Sequence, residues 1–191
     1  MTRIVLASAS PRRKDLLRQV GLNFEIIPSD LDEEAVEYRD PGELVRKLAL
    51  SKALGVLPQA RQGLVIGADT IVLLDQEVLG KPRSVPEAEK MLGRLAGRVH
   101  RVLTGVALVD SRTGRRLVDH EETLVKMREL TPGQISNYVA TGEPMDKAGA
   151  YAVQGRGSVL VERIEGDYYN VVGLPLPRLA RMLEEFGVKL F

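Results

Sequence analysis

Cysteine is absent from this chain of 191 residues, and histidine occurs only at positions 100 and 120. The missing thiols exclude a disulfide framework, a thiol nucleophile and a thiolate metal site. A bound metal would therefore be a hard cation held by carboxylates, water and ligand phosphates, which favours magnesium or manganese over zinc. Both histidines fall in strand-like segments, and we interpret them as structural.

Tryptophan is also absent, and aromatic residues make up only 4% of the chain. This scarcity argues against a stacking platform for single-stranded nucleic acid. Charge of one sign is not in excess either, since 27 basic residues face 26 acidic ones. The sequence therefore predicts no nucleic-acid or membrane partner, and any anion site must be local.

Long apolar runs are missing, and none approaches the length that spans a bilayer. The first residues resemble neither a signal peptide nor an anchor, so we expect a cytoplasmic protein.

The glycine-rich phosphate motifs are missing as well. No Walker sequence occurs, and the segment 154–157 lacks the third glycine of a dinucleotide fingerprint and precedes a strand. These absences argue against P-loop and Rossmann nucleotide sites.

Strand and helix patterns alternate along the chain without long linkers or repeats. The length fits one domain or two small lobes, and 44% hydrophobic residues suffice for a sizeable core. The segments 99–109 and 117–127 predict an antiparallel pair of strands. The predicted fold is therefore α/β with a mixed sheet, in contrast to a purely parallel array.

A basic turn, residues 8–13, follows the first apolar run, residues 4–7. Ser10 has the character of a helix N-cap and Pro11 that of a first helical residue. A helix N-terminus favours anions, so Arg12 and Arg13 are poorly placed for the helix dipole unless they face an anion such as phosphate. The alternative is a solvated basic turn, and these residue types alone leave both interpretations open.

Asp69 and Thr70 interrupt an otherwise apolar strand at residues 65–74. A buried carboxylate costs several kcal/mol unless it is paired, metal-bound or protonated. This favours a general base or metal ligand over a capping residue. Lys52 on a predicted helix and Lys81 on a turn are typical of solvated lysines, and Glu33 lies in an acidic stretch typical of a surface.

A stretch rich in glycine, residues 141–155, predicts a shaped loop through which a ligand contacts backbone. It includes Lys147 and Gln154, and residues 166–175 have the same character.

Five motifs occur in the same order as in one protein family, and together they extend over nearly the whole chain. They are Ser8-Ala9-Ser10-Pro11-Arg12-Arg13, Gly67-Ala68-Asp69-Thr70, Gly80-Lys81-Pro82, the run 143–151 and the run 166–175. Together they resemble the Maf family of nucleoside triphosphate pyrophosphatases. The resemblance implies one Maf-like domain over 1–191. Its fold would be a mixed twisted sheet flanked by helices, in two lobes with a central cleft, similar to inosine triphosphate pyrophosphatases. It also implies hydrolysis to monophosphate and pyrophosphate with a divalent cation, Mg²⁺ or Mn²⁺, with Co²⁺ as a further alternative.

The resemblance also assigns roles to residues. It makes Asp69 the proton acceptor that activates water, and it places Glu33 with Asp69 on the metal side. Substrate choice falls to Arg12, Thr70 and Gln154. The remaining substrate-binding positions are polar or basic: Ser8, Arg13, Lys52, Lys81 and Lys147.

The run Lys-Ala-Gly-Ala-Tyr followed by Gln154-Gly155 is similar to the branch that acts on dTTP and UTP. We therefore predict hydrolysis of these nucleotides, and of modified pyrimidine triphosphates as an extension, in nucleotide-pool housekeeping. The alternative is a regulatory binding protein that affects septum formation in cell division. A homodimer is left open by the sequence.

Overall fold

The computed structural model describes residues 2–29 and 36–191, and the chain divides into two compact units. The first unit comprises Met1–Asp69, Thr104–Glu121 and Gly173–Phe191. The second comprises Thr70–Leu103 and Glu122–Val172. The division agrees with the expectation of two lobes, while a single Maf-like domain over 1–191 stays a prediction.

Seven strands in the described part of the chain form one mixed sheet in the order β2-β1-β3-β5-β6-β7, with β4 paired to β3. Strand β1 runs parallel to both β2 and β3, whereas β4 is antiparallel to β3 and β7 is antiparallel to β6. The mixed sheet predicted from the sequence is therefore confirmed. The strands are β1 Arg3–Leu6, β2 Glu25–Ile26, β3 Gly63–Leu74, β4 Glu77–Leu79, β5 Val99–Asp110, β6 Arg116–Met127 and β7 Val161–Glu165.

Six α-helices accompany the sheet within residues 2–29 and 36–191: α1 Pro11–Gln19, α2 Pro41–Val56, α3 Val85–Leu95, α4 Pro132–Val139, α5 Tyr168–Val172 and α6 Leu176–Glu184. Three short 3-10 turns at 143–146, 148–150 and 155–160 shape the glycine-rich stretch. The interpretation of 166–175 as loop throughout was wrong, because α5 occupies its centre. Five residues make barely more than one turn of helix, too few for an apolar period to show in the sequence.

Helix starts follow the sequence closely. Asp40, Ser84 and Thr131 each accept a hydrogen bond from the backbone N–H three residues later, which satisfies one open donor of the helix. Ser10 precedes α1 as predicted, but its side chain makes no capping bond. The Oγ of Ser8 instead accepts from the N–H of Ser10, at 3.3 Å. The start of α1 is thus tied to the end of the preceding strand.

Two glycines allow α2 to pack directly on the sheet in the first unit. A Cβ at Gly67 of β3 would lie 2.1 Å from the carbonyl oxygen of Ala49, and a Cβ at Gly105 of β5 would lie 2.1 Å from that of Val45. Real Cβ atoms do not approach so closely, so both positions require glycine. The contact places Ala49 and Ala53 of α2, both fully buried, against the sheet.

The core of the second unit lies around α3 and α4. Leu92 and Leu95 of α3 are fully buried and pack with Ile135 and Tyr138 of α4. Tyr151, at the end of the glycine-rich stretch, belongs to the same core. The core therefore anchors both ends of the loop that carries Lys147.

Replacing Gly67 by alanine tests the close packing of α2. The added Cβ meets helix backbone, which cannot rotate away, so we expect a loss of about 1 to 3 kcal/mol in the free energy of unfolding. Gly93→Ala is the control, because Gly93 lies in α3 and a Cβ there would meet no atom within 4 Å. That change should stabilise the protein by up to about 1 kcal/mol through helix propensity. Urea denaturation measures both, and equal effects of the two substitutions would contradict the packing argument.

Candidate active site

A buried ion pair joins α2 to β3 in the first unit. The Nζ atom of Lys52 donates to Oδ1 of Asp69 at 2.5 Å, and the two side chains are only 13% and 9% exposed. Lys52 lies one helical turn from the contact at Gly67, so the glycine brings the lysine within reach of the carboxylate. The prediction that Lys52 is a solvated lysine is therefore wrong. Asp69 is paired, as a buried carboxylate requires.

Ser8 and Arg13 form a second polar cluster in the same unit. The guanidinium of Arg13 donates through NH1 to Oγ of Ser8 at 3.2 Å and through Nε to the carbonyl oxygen of Gly173 at 2.8 Å. Since the N–H of Ser10 also donates to Oγ of Ser8, this oxygen accepts two hydrogen bonds. The hydroxyl group of Ser8 has one O–H donor in addition to this accepting oxygen.

These two clusters lie on neighbouring parallel strands. Strand β1 pairs with β3 in parallel, with Leu6 opposite Ile66, and the N–H of Ala7 continues the pairing to the carbonyl oxygen of Ile66 at 2.8 Å. Ser8 follows Ala7 directly, and Asp69 lies three residues beyond Ile66, within β3. The parallel pairing thus positions a hydroxyl just after β1 and a carboxylate on the strand beside it. Arg12 is half-buried in the first turn of α1.

The other predicted substrate-binding residues lie in the second unit. Thr70 follows Asp69 along β3 and is half-buried, whereas Lys81 is exposed on the turn after β4. The N–H of Gly149 donates to the carbonyl oxygen of Gly80 at 3.0 Å, which joins the turn of Lys81 to the loop that follows Lys147. Two motifs that are far apart in the sequence therefore meet.

The loop around Lys147 and Gln154 is held by an internal network. Nζ of Lys147 donates to the carbonyl oxygen of Glu143 and to Oδ1 of Asp146, both at 2.6 Å. Gln154 precedes the last 3-10 turn of the loop, and its side chain is exposed. An exposed amide at a fixed turn is suited to reading the edge of a base.

Sequence reasoning placed Glu143 in this loop but gave it no role. Its carboxylate accepts from the N–H groups of Arg156 and Gly157, at 3.1 and 2.8 Å. Burial would raise the pKa of Glu143, but hydrogen bonds from Tyr138 and from these two N–H groups lower it below its ordinary value. The contacts bridge 13 and 14 residues of sequence, so no local pattern shows them.

Both histidines are structural, as predicted. His100 is 1% exposed, and its Nε2 lies 2.7 Å from the hydroxyl of Tyr151. Burial lowers the pKa of His100 to about 4. Nδ1 of His120 lies 2.8 Å from the guanidinium of Arg46, and burial followed by the charge of Arg46 lowers the pKa of this histidine.

The family resemblance implies a metal side formed by Glu33 and Asp69. Across 2–29 and 36–191, no group of three or more His, Cys, Asp or Glu side chains could hold a metal ion. Glu33, the carboxylate assigned to the metal side, lies outside the described residues. Asp69 is a hard oxygen donor of the type that Mg²⁺ and Mn²⁺ prefer, and such ions commonly take their other ligands from phosphate and water.

A family model described as a Maf-like protein matches residues 3–186. The chain belongs to the Maf family. A protein of Symbiobacterium thermophilum named dTTP/UTP pyrophosphatase is 56% identical over 191 residues, covering 100% of this chain and 97% of its own. A protein of the same name from Desulforamulus reducens is 53% identical, with 100% of each chain covered.

Solved structures support the fold of this Maf protein. A HAM1 protein from Coxiella burnetii has a TM-score of 0.53 at 18% identity, covering 97% of this chain and 100% of its own. The Ham1 protein of Staphylococcus aureus has the same TM-score at 16% identity and the same coverage of both chains. The predicted fold class is therefore confirmed. No helix in the described ranges is long and apolar enough to cross a membrane.

The buried pair of this Maf protein should show strong energetic coupling. We expect a double-mutant cycle of Lys52→Met and Asp69→Asn to give a coupling of about 1 to 3 kcal/mol in the free energy of unfolding. The reason is that either single change removes one of two opposite buried charges, so the remaining charge loses its ion-pair attraction.

The exposed pair Arg94–Glu77, whose side chains are 35% and 60% exposed, is the matched control. Its cycle with Arg94→Met and Glu77→Gln should give below about 1 kcal/mol. Denaturant unfolding measures all variants, and equal coupling in the two cycles would count against a special role of burial at Asp69.

His100 should make the stability of the Maf protein depend on pH. Its pKa is lower in the folded chain, about 4, than the ordinary 6.5, so the unfolded chain binds the extra proton first. The stabilising contribution is complete above pH 6.5 and is lost as the pH falls towards about 4. The loss should be on the order of 3 kcal/mol. Unfolding of His100→Gln across this range should show a weaker pH dependence, and an unchanged slope would contradict the assignment.

Proposed function

We propose that this protein hydrolyses dTTP and UTP to the corresponding monophosphate and pyrophosphate. The observation that carries the proposal is the full-length identity of 56% and 53% to two relatives named dTTP/UTP pyrophosphatase. The structure supports it with the carboxylate of Asp69, which is 6% exposed and paired with Lys52. The enzyme is a nucleotide pyrophosphatase, a hydrolase of the bond between the α and β phosphates.

Asp69 is the group that takes the proton from the attacking water. The water oxygen forms a bond to the α-phosphorus as the bond to the bridging oxygen breaks, and pyrophosphate leaves with that oxygen. Burial keeps bulk water from screening the carboxylate, and Lys52 fixes its orientation through the bond at Oδ1. General-base help of this kind contributes about two to four orders of magnitude in rate.

Anionic oxygens of the triphosphate are held at the end of β1. The N-terminal end of the α1 dipole favours anions, and the hydroxyl of Ser8 is available as a donor because its oxygen already accepts twice. Arg12, Arg13 and Lys81 supply positive charge. Phosphoryl transfer needs mainly such positioning and charge neutralisation.

Base choice falls to Gln154, with Thr70 and Arg12 as further determinants. The amide of Gln154 presents a donor and an acceptor, which pair with the alternating edge of uracil or thymine. Cytosine has the donor and the acceptor of this edge exchanged, so an amide held in the orientation for uracil would leave both groups unpaired, which weakens binding. Modified pyrimidine triphosphates that keep this edge are accepted as well.

A divalent cation accompanies the triphosphate, Mg²⁺ or Mn²⁺, with Co²⁺ as an alternative. Asp69 would be its described protein ligand and Glu33 the second, and when bound it would neutralise phosphate charge. The reaction takes place in the cytoplasm, where free nucleotides form the pool. A homodimer is a separate hypothesis, which sedimentation velocity would decide.

Asp69→Asn tests the assignment of the base. The amide keeps the size of the side chain but does not accept a proton, so pyrophosphate release from UTP should fall by about two to four orders of magnitude. Asp15→Asn is the matched control, because Asp15 is exposed and pairs with Arg18 on α1. It should keep wild-type turnover. The assay uses UTP and dTTP with each of the three cations, and unfolding curves confirm that both variants fold.

Isotopically labelled water tests the site of attack. The heavy oxygen should appear in the nucleoside monophosphate, as attack at the α-phosphorus requires. Label in pyrophosphate would place the attack at the β-phosphorus and overturn the mechanism. A wild-type protein that releases no pyrophosphate from any triphosphate would overturn the function and favour a binding role in cell division.

A further inference from the structure

The carboxylate of Glu143 lies at the centre of a hydrogen-bond network in the second unit that surrounds Gln154. It accepts from the backbone of Arg156 at 3.1 Å and from that of Gly157 at 2.8 Å. These donors lie two and three residues after Gln154. The backbone on the carboxyl side of the glutamine is thereby fixed by one charged side chain, and such charge-assisted bonds are the stronger kind.

Tyr138 fixes the other side of the same turn. Its hydroxyl accepts from the N–H of Ala152 at 3.1 Å, two residues before Gln154, and donates to the carboxylate of Glu143. The tyrosine is 6% exposed and belongs to the core around α3 and α4. The contacts are therefore continuous from the core to the loop. Tyr138 of α4 is hydrogen-bonded to Glu143, and both side chains are hydrogen-bonded to the backbone around Gln154.

The backbone is shaped to admit this carboxylate. Gly155 has φ +64°, and a Cβ there would lie 2.3 Å from Oε1 of Glu143. A Cβ at Gly157 would lie 2.6 Å from the hydroxyl of Tyr138. Two glycines thus leave room for the two side chains that hold the turn. The side chain of Gln154 itself stays exposed.

We propose that Glu143, together with Tyr138, is a positioning residue that fixes Gln154 for selection of the pyrimidine base. This inference rests on the proposed function, since it assigns Gln154 to the base. The carboxylate does not touch the substrate. It fixes the backbone on the carboxyl side of Gln154 before the nucleotide binds, so that selectivity does not depend on ordering the loop during binding.

Glu143→Gln tests the proposal, because the amide keeps the volume but turns an NH₂ group towards a backbone N–H donor. Glu162→Gln is the matched control, since Glu162 is exposed on β7. The first measurement is the dissociation constant of non-hydrolysable UTP and CTP analogues. Glu143→Gln should weaken binding of the UTP analogue about tenfold and reduce its preference over the CTP analogue, whereas the control should change neither.

A double-mutant cycle with Gln154→Ala separates positioning from a general loss of structure. If Glu143 acts through Gln154, the double variant should bind the UTP analogue no more weakly than Gln154→Ala alone. Turnover of UTP should show a raised KM with kcat within about threefold of wild type. The proposal would be overturned if the two substitutions reduced the affinity independently, so that their fold-losses multiplied in the double variant. It would also be overturned if Glu143→Gln left the preference for the UTP analogue unchanged, or lowered only kcat.

Amide hydrogen exchange at Arg156 and Gly157 gives a readout that needs no turnover. Exchange at both should accelerate in Glu143→Gln and stay unchanged in Glu162→Gln, and equal protection in all proteins would overturn the network. The two proposals can fail separately. A wild-type protein that binds the UTP analogue selectively without releasing pyrophosphate contradicts the hydrolytic function alone. If the wild-type protein hydrolyses UTP but the binding losses of Glu143→Gln and Gln154→Ala are additive in the double variant, only the role of Glu143 is contradicted.

Discussion

The described active-site chemistry depends on how closely α2 lies on the sheet. Gly67 and Gly105 remove the side chains that would hold the helix away, and the carbonyl oxygens of Ala49 and Val45 occupy the space. One turn further along α2, Lys52 then reaches Asp69 at 2.5 Å. A single methyl group at Gly67 would shift the helix backbone, and with it the positive charge that pairs with the buried carboxylate. The close packing of α2 on the sheet is thus also what allows the ion pair between Lys52 and Asp69 to form.

The two units position their predicted site residues in different ways. In the first unit, the parallel pairing of β1 with β3 positions Ser8, just after β1, and Asp69, within β3, and Arg13 ties the turn after β1 to Gly173. In the second unit, a loop of short turns carries Lys147 and Gln154, and its shape comes from Tyr138 and Glu143. Function located on loops requires such support, because loop backbone has no regular pairing of its own.

Much of the fold could be predicted because its signals are local. Pro11, Pro41 and Pro132 each begin a helix directly after a residue of N-cap type, and the apolar run of β3 continues on both sides of Asp69. The short helix α5 escaped prediction because five residues show no period. Lys52 was interpreted as solvated because a lysine on a helix carries no local sign of a carboxylate 17 residues away. The site residues themselves were assigned through resemblance to the Maf family, and the match over 3–186 confirms that family.

The sequence by itself determined the class of chemistry and the order of the elements. It excluded thiol and thiolate chemistry, left an anion site or a solvated basic turn open at the start of α1, and set a carboxylate within an apolar strand. Only the tertiary structure decided which groups meet: Lys52 with Asp69, Arg13 with Ser8, and Glu143 with the turn after Gln154. The physical reason is that these contacts depend on how separate elements pack against one another. Their distances are set by sheet register, helix packing and the space left by glycine, none of which has a signal in neighbouring residues.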